Sequence, residues 1–491
     1  MSPPPEKMIP SETDQESGEY PTLVEFDGPD DPLLPFNWSI TRRVWVTSVV
    51  AILNLIGTVA SSIFETGNET FMQDFNISHE VAVLGTSLFL VGYIFGFLTF
   101  GPLSERFGRK WPMLLGITLS SLFDLMPALG HNLPTVLLGR FFGGLFGVAP
   151  VAIFGGVISD CWPMAHRGIA MALAVSLVFS GPTFGPVSGG FIMSSSTLDW
   201  RWNMWVVIIV GLGASLLCAF VYPETYAPVI LRKKGQALKR KTGNLDIKTA
   251  ADKEGISLQE IARAYLIRPF WLFTTQPILA LLTLYQSFIY GVLFLFYQTY
   301  PVVFGEDRGW PTALKYLPLL AIICGVFAGA FGIIIHNQVY FRHHCHAPDG
   351  VTFIPEARLP PMIVGGILVP IGMFWFAGTA TPATIPWPSA ICASFLIGAG
   401  MYLLFIQGFN YIVDNYTSMA NSAMGVNGSM RSIFGAAFPL FANQMVDGLG
   451  VQRATIVLAA ICVALVPVPV CFWYWGDRIR AWSSAKVPDN I

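Results

Sequence analysis

The feature that most limits what this chain can fold into is the length of its apolar runs. About twelve stretches of roughly twenty residues carry almost no charge. Twenty residues of helix, at 1.5 Å each, cross the ~30 Å hydrocarbon core of a bilayer. The stretches fall near 44–64, 81–100, 111–130, 134–157, 168–193 and 201–222, then 271–304, 314–338, 360–378, 386–410, 417–444 and 451–475. Lipid offers no partner to a free backbone N–H or C=O, so each must be a helix. Of 491 residues, 53% are hydrophobic and 12% charged, against about 25% charged in a soluble domain. No soluble core of this length buries so much apolar surface.

Charge placement orients the spans. The long polar stretch from Glu224 to about Arg268 carries Arg232, Lys233, Lys234, Lys239, Arg240, Lys241, Lys248 and Lys253, which makes it cytosolic by the positive-inside rule. Arg106, Arg109 and Lys110 after span 2, and Arg342 and Arg358 after span 8, agree. The first odd-numbered loop holds Glu65, Glu69, Asp74 and Glu80 without Lys or Arg, and both termini are therefore expected inside. The sequons at Asn68 and Asn76 lie in that outer loop, open to glycosylation; those at Asn37, Asn415 and Asn427 fall on the cytosolic side or at membrane depth. The expected organisation is a disordered cytosolic tail (1–43), a six-helix bundle (44–223), a basic cytosolic linker (224–270), a second bundle (271–476) and a cytosolic tail (477–491). The polar, Pro- and Glu-rich first forty-odd residues lack the pattern of a cleaved leader. A net charge of −2 argues against nucleic acid. The seven cysteines sit mostly inside apolar runs and read as small core residues.

Four constellations carry functional information. Gly101-Pro-Leu-Ser-Glu105-Arg106-Phe-Gly108-Arg109-Lys110 joins spans 2 and 3; its glycines suit a tight turn, and Glu105 is expected near the positive end of span 3. Asp160, seven residues before Arg167-Gly168, is the expected partner of Arg109. Glu105, Arg109 and Asp160 would form a cytosolic latch, or else an ordinary surface ion pair worth under ~1 kcal/mol. Span 5 contains Ser180-Gly181-Pro182-Thr-Phe-Gly185-Pro186-Val-Ser-Gly189-Gly190. Its prolines remove backbone donors and bend the helix, while its glycines form a face that allows close approach. Span 11 repeats the small-residue face with Gly425, Gly428, Ser432 and Gly435, so the two halves share a plan with a site between them. Arg140 in span 4, Asp124 in span 3 and Arg431 in span 11 are ionisable at membrane depth and hence functional candidates, as is Asp414 near the start of span 11. Tyr285, Phe288, Tyr290, Gln407, Asn410 and Tyr411 could line a central cavity or pack between helices. His343, His344, Cys345 and His346 are adjacent in sequence and do not converge on one ion as a helical i, i+4 pair does. No metal site is expected.

These residues resemble a known family. The 101–110 turn is similar to motif A of the major facilitator superfamily, with Glu105 where Asp is more usual. Leu138-Gly-Arg140-Phe-Phe-Gly-Gly-Leu-Phe-Gly147 resembles its motif B, and 180–190 resembles motif C of the twelve-span drug:proton antiporter branch. Asp31–Trp38, Trp200–Trp202, Pro223–Pro228, Phe288–Gly291, Pro355–Leu359 and Arg431–Pro439 resemble fungal members of that branch. The resemblance implies an all-α membrane protein of twelve transmembrane helices in two pseudo-symmetric six-helix bundles. It also implies export of a small organic molecule (drug, toxin, secondary metabolite or organic acid) in exchange for protons, with Arg140 in proton coupling. The expected setting is a lipid bilayer, most naturally the plasma membrane, and the expected state a monomer without cofactor.

Two other readings stand beside this one: uptake or exchange of a metabolite on the same fold, and a nutrient sensor that binds without transport. The absence of a phosphate-binding Gly-rich loop argues against ATP as the power source, and the absence of a paired-ligand metal motif against an embedded enzyme. A mechanical expectation follows for span 5: Gly185→Leu should wedge it from its neighbour, whereas bulk added at Val175, taken as lipid-facing, should do nothing.

Overall fold

The computed structural model describes residues 23–242, 248–249, 267–344, 354–381, 384–416 and 419–484. The first half begins with α1 (Ile40–Ser62), extended by a 3₁₀ turn, Ile63–Gly67, and a short helix, Asn68–Phe75. It continues with α2 (His79–Phe107), and with α3 (Lys110–Phe123), resumed past Asp124 as Leu125–Leu129. Next come α4 (Leu133–Gly147, carried on as Ala149–Cys161), α5 (Met164–Met193) and α6 (Arg201–Val221). In α4 the Asn132 side chain caps the first turn by accepting from the Thr135 N–H at 2.9 Å, the usual task of a residue at this position. The second half contains α7 (Pro277–Tyr300), α8 (Leu320–His336), α9 (Leu359–Ala380) and α10 (Trp387–Asn415).

Among the described residues, eleven helical runs are long and apolar enough to cross a membrane, and the last of them covers 62 residues, Ala420–Ala481. At 1.5 Å per residue it would be about 90 Å long, three bilayer cores. Gly450, with φ 76° and ψ 155°, breaks it. That backbone geometry is essentially restricted to glycine, and it divides the run into α11 (420–449) and α12 (451–484), completing twelve spans.

Within the first half α1 packs on α5 and α2 on α4; within the second, α7 packs on α11, and α10 on both α8 and α9. The halves meet along two seams, α2 against α11 and α5 against α8. Small and hydroxylated residues make the seams close. Ser87 donates to the Ala436 carbonyl at 2.8 Å and Ser429 to that of Ile94 at 3.0 Å. A side chain at Gly428 would strike the Phe97 ring at 2.7 Å.

Three expectations need correction. Residues 23–39, assigned to a disordered tail, are ordered: β1 (Leu23–Val24) pairs in parallel with β2 (Lys248–Thr249). Asp31 accepts from the backbone N–H groups of Asp27 (3.0 Å) and Leu33 (2.8 Å) and contacts Lys234 at 3.4 Å. These polar groups find partners in the linker helix Ala227–Thr242 that composition alone does not reveal. Asp414 ends α10 rather than opening α11. Val175 is buried; on α5 the residue facing outward in that stretch is Leu173.

Candidate functional site

On the rim bearing the basic residues, the turn after α2 is built around Gly108. Its φ of 88° suits glycine, and a Cβ there would lie 2.3 Å from the Glu224 carboxylate. Glu224 accepts from the backbone N–H groups of Arg109 (2.8 Å), Lys110 (3.2 Å), Thr225 (2.9 Å) and Tyr226 (3.0 Å). It therefore caps the positive end of α3, and the sequence reading had missed it. Glu105, the residue expected there, instead accepts from Asn421 at the start of α11 and so reaches across to the other half. The cause is its place in the last turn of α2, on the seam with α11, rather than in the turn itself.

Arg109 behaves as expected in its partner. Its Nε donates to Asp160 Oδ2 at 3.1 Å and its Nη1 to Ser104 Oγ at 2.7 Å, and its guanidinium lies 4.7 Å from the Tyr226 ring. Gly156 leaves room for it, since a Cβ would come within 2.5 Å of the guanidinium carbon. Lys110 Nζ donates to the Ala219 carbonyl at 2.8 Å, and Arg167 to that of Ser159 at 3.2 Å. Gly101 supplies the carbonyl that Ser104 Oγ donates to, at 2.6 Å; Arg106 is exposed, its guanidinium 5.7 Å from the Phe107 ring. The Arg109–Asp160 bond lies wholly within the first half and braces that bundle, while Glu105 is the member of the expected latch that reaches the other half. The second half repeats the device: Arg358 pairs with Asp414, and Glu356 with Arg480 at 3.1 Å.

Deeper in the first half, Arg140 and Asp124 are both fully buried and face each other at 3.4 Å. Arg140 also donates to the carbonyls of Gly85 and Ala60, each at 2.9 Å, and stacks on Phe89 (4.3 Å) and Phe64 (5.0 Å). One side chain thus ties together α1, α2, α3 and α4. The two residues singled out separately in the sequence are one ion pair. Removing either partner leaves a buried charge, at a cost of about 3–5 kcal/mol.

Span 5 has the predicted close face. Cβ atoms at Gly181, Gly185 and Gly189 would lie 1.9, 2.2 and 2.3 Å from the hydroxyls of Thr58, Ser62 and Thr66. Glycines and hydroxyl residues, both at four-residue spacing, therefore mate along α5 and α1. Gly190 faces Tyr316 across the second seam, 2.8 Å from its ring. The helix runs on without interruption through Pro182 and Pro186.

Between the halves lies Arg431 of α11. Its guanidinium is 4.8 Å from the Phe409 ring, 5.3 Å from Tyr290 and 5.7 Å from Phe405. Among the described residues its Nε has no hydrogen-bond partner and no carboxylate pairs with it. Phe405 in turn packs on Phe179 of α5, centroids 4.8 Å apart, so the aromatic cage bridges both halves. Of the six cavity candidates, Tyr290 belongs to this cage. Phe288 sits edge-on to Phe438 of α11 at 5.6 Å, and Asn410 donates to Gln407 at 3.2 Å. Two point elsewhere. Tyr285 faces α9, its hydroxyl 2.9 Å from where a Gly366 Cβ would sit, and Tyr411 donates to Glu356 at 3.1 Å. Both are helical faces turned from the seam towards neighbours in their own bundle.

The two outer sequons differ. Asn76 is exposed on a turn with φ 49°, whereas Asn68 is buried at the start of its short helix and is not the open acceptor it was expected to be. Of the histidine-rich run, His344 stacks on Tyr340 with centroids 4.1 Å apart; Cys345 and His346 lie outside the described residues.

Two six-helix halves, braced alike on one rim and meeting along two close seams, define a multi-pass membrane carrier. Its sequence matches the Major Facilitator Superfamily profile over residues 48–439. It is 45% identical over 464 residues to MFS-type transporter oryN of Aspergillus oryzae, covering 94% of this chain and 90% of that one. It is 40% identical to the citrinin biosynthesis cluster MFS transporter mrr1 of Monascus ruber, covering 96% and 94%. The proton:xylose symporter XylE shares the fold, with a TM-score of 0.62 at 16% identity, over 89% of this chain and 96% of that one. The chain belongs to the Major Facilitator Superfamily and is a transporter, not an enzyme.

Proposed function

We propose that this transporter exports a small organic molecule of the secondary-metabolite or organic-acid kind in exchange for protons. The observation that carries the reading is the contrast between the two deep arginines. The charge of Arg140 is met by Asp124, whereas the guanidinium of Arg431, paired with no carboxylate among the described residues, sits inside an aromatic cage at the seam of the halves. A planar molecule bearing an acidic or electron-rich group suits such a cage, through ring stacking and a charge-assisted hydrogen bond. The name of the Monascus relative, placed in a biosynthesis cluster, supports a metabolite cargo. In this reading the bundles 44–223 and 271–476 rock about the seams, and the basic rim and both termini are cytosolic. The plasma membrane is the site of action, and Asn76 is the glycan acceptor. The test is expression in a transporter-deficient yeast, with accumulation measured over drugs, polyamines and organic acids, for wild type and Arg431→Ala. Reduced accumulation of an acidic aromatic compound, restored to the empty-vector level by Arg431→Ala at equal surface abundance, is expected. An effect confined to polycations would overturn the cargo assignment.

A further inference from the structure

Glu65 is a carboxyl that none of the foregoing uses. Sequence places it in an acidic outer loop, but it lies in the 3₁₀ turn that prolongs α1, 7% exposed, with neither oxygen hydrogen-bonded to a group among the described residues. The turn cannot swing it outward. Phe64 is edge-on to Trp200 and Phe71, with centroids 5.8 and 5.2 Å apart, and Asn203 of α6 donates to Thr66 Oγ1 at 3.0 Å. A Cβ at Gly67 would lie 2.6 Å from that of Trp200.

The charged groups around it are engaged elsewhere. On the helix Asn68–Phe75, Glu69 pairs with Lys315 at 3.1 Å and Asp74 with Arg201 of α6 at 2.9 Å. The half of α1 leading into the turn has no titratable side chain, nor has the outer half of α5. At the start of α2, His79 contacts Asn443 of α11 at 3.0 Å, and Glu80 follows it. Inward, Arg140 is matched by Asp124. The other half contributes Tyr297 of α7 and Tyr316 before α8, both within electrostatic range of Glu65.

This rim is closed by contacts between the halves. Thr183 and Tyr297 hydroxyls lie 3.1 Å apart, Tyr316 covers Gly190, and Lys315 holds Glu69. Closing it buries Glu65. An ionised carboxylate buried without a partner costs several kcal/mol, and the neutral acid far less. We propose that Glu65 is a proton-binding site whose loading permits this rim, extracellular in the proposed orientation, to close. With the rim open, water reaches the carboxylate, and an external proton forms the O–H bond of the neutral acid. Only then do α5 and α1 meet α7 and α8 without trapping a charge. The inference rests on the proton-exchange reading and names the group that takes the proton up.

The test uses the full chain reconstituted in lipid, with the exposed native thiols replaced. Spin labels are placed at Ser196 and Asp307, exposed residues on this rim in opposite halves. In the otherwise unaltered protein the interlabel distance should lengthen as pH rises. In Glu65→Gln, a permanently neutral isostere, it should stay short over the same range, and Glu65→Asp should retain the response. His79 is present throughout, so the difference between variants isolates Glu65. Infrared pH-difference spectra should show, at neutral pH, a protonated-carboxyl band that Glu65→Gln removes and Asp124→Asn does not. A pH-dependent distance unchanged in Glu65→Gln, or a band that survives it, overturns the proposal. If Glu65→Gln fails to fold, Glu65→Asp decides: a distance that ignores pH in that variant also overturns it. Failure of the exchange reading looks different. Transport by wild-type vesicles would then ignore the proton gradient while the band and the distance response remained.

Discussion

Gly185→Ala is the sharpest perturbation of the mating face between α5 and α1. The added methyl would sit 2.2 Å from Ser62 Oγ and 3.0 Å from both the Ile63 nitrogen and the Val59 carbonyl oxygen. Ordinary contact is about 3.5 Å, so the helices must part by roughly 1.3 Å at this point. If the Ser62 hydroxyl rotates aside, the two backbone atoms still demand about 0.5 Å. Overpacking of this kind costs about 1–3 kcal/mol, equivalent to roughly 5–150-fold. That cost falls on whichever state of the cycle brings α1 and α5 into full contact. The assay is initial efflux rate with surface abundance measured in parallel. Efflux should fall within that range at normal abundance, Gly185→Leu should abolish it, and Leu173→Phe on the exposed face should stay within about twofold. Ser62→Gly removes the nearest clash and should restore part of the Gly185→Ala rate, as coupled neighbours do in a double-mutant cycle. Normal efflux by Gly185→Ala, or no recovery on adding Ser62→Gly, would refute the argument that apposition of these faces limits turnover.

Arg140→Ala should abolish gradient-driven transport and, by orphaning Asp124, lower stability by about 3–5 kcal/mol; Asp124→Asn in the same background should recover stability without recovering transport, measured by thermal melting and vesicle uptake. Glu224→Ala leaves four backbone N–H groups without their acceptor, and at about 1–3 kcal/mol for an unsatisfied buried group the melting temperature should drop sharply, with Glu224→Gln intermediate. The Asp31 carboxyl is held below its usual value of 3.8 by the Asp27 and Leu33 N–H groups and then by Lys234. A depressed folded value means that its contribution is complete above about pH 4 and is lost as pH falls through the folded value. Acid should therefore release the clasp on the linker helix, read as pepsin nicking there, while Asp31→Asn should be nicked equally at the upper and lower ends of that range.

What the sequence made legible was whatever lipid or local spacing dictates. Bilayer thickness fixes the length of a span, so the twelve helices were readable, although α2 and α12 run on past the ends expected of them, and the four-residue glycine period on α5 announced its close partner. Long-range pairing was less accessible. The bond from Glu224 to the Arg109 N–H spans 115 positions, and nothing in the motif around Glu105 distinguishes the start of α3 from the start of α11. Arg140 and Asp124 stood out individually because charge is costly at depth, but their meeting depends on how α3 folds back onto α4. Val175, Tyr285 and Tyr411 show a different limit. In a twelve-helix membrane protein the lipid face and the protein-facing sides are equally apolar, so hydropathy does not tell them apart. Glu65 was hidden by its company: an acidic run looks like a loop until the 3₁₀ turn is seen.

The turn at Gly450 bears on how the protein is made. With a single non-helical residue between them, α11 and α12 have no hydrophilic tether that could be threaded across the bilayer in a separate step, so the pair must leave the translocation channel together as a hairpin. α11 is the member that needs the help. It carries Arg431, and an arginine at the middle of a helix raises the cost of insertion by about 2.5–3.5 kcal/mol. The uncharged stretch of α12 that follows, Ala454 to Val470, would offset that cost. A ribosome stalled between the two would therefore leave the helix that carries Arg431 poorly anchored until α12 had emerged.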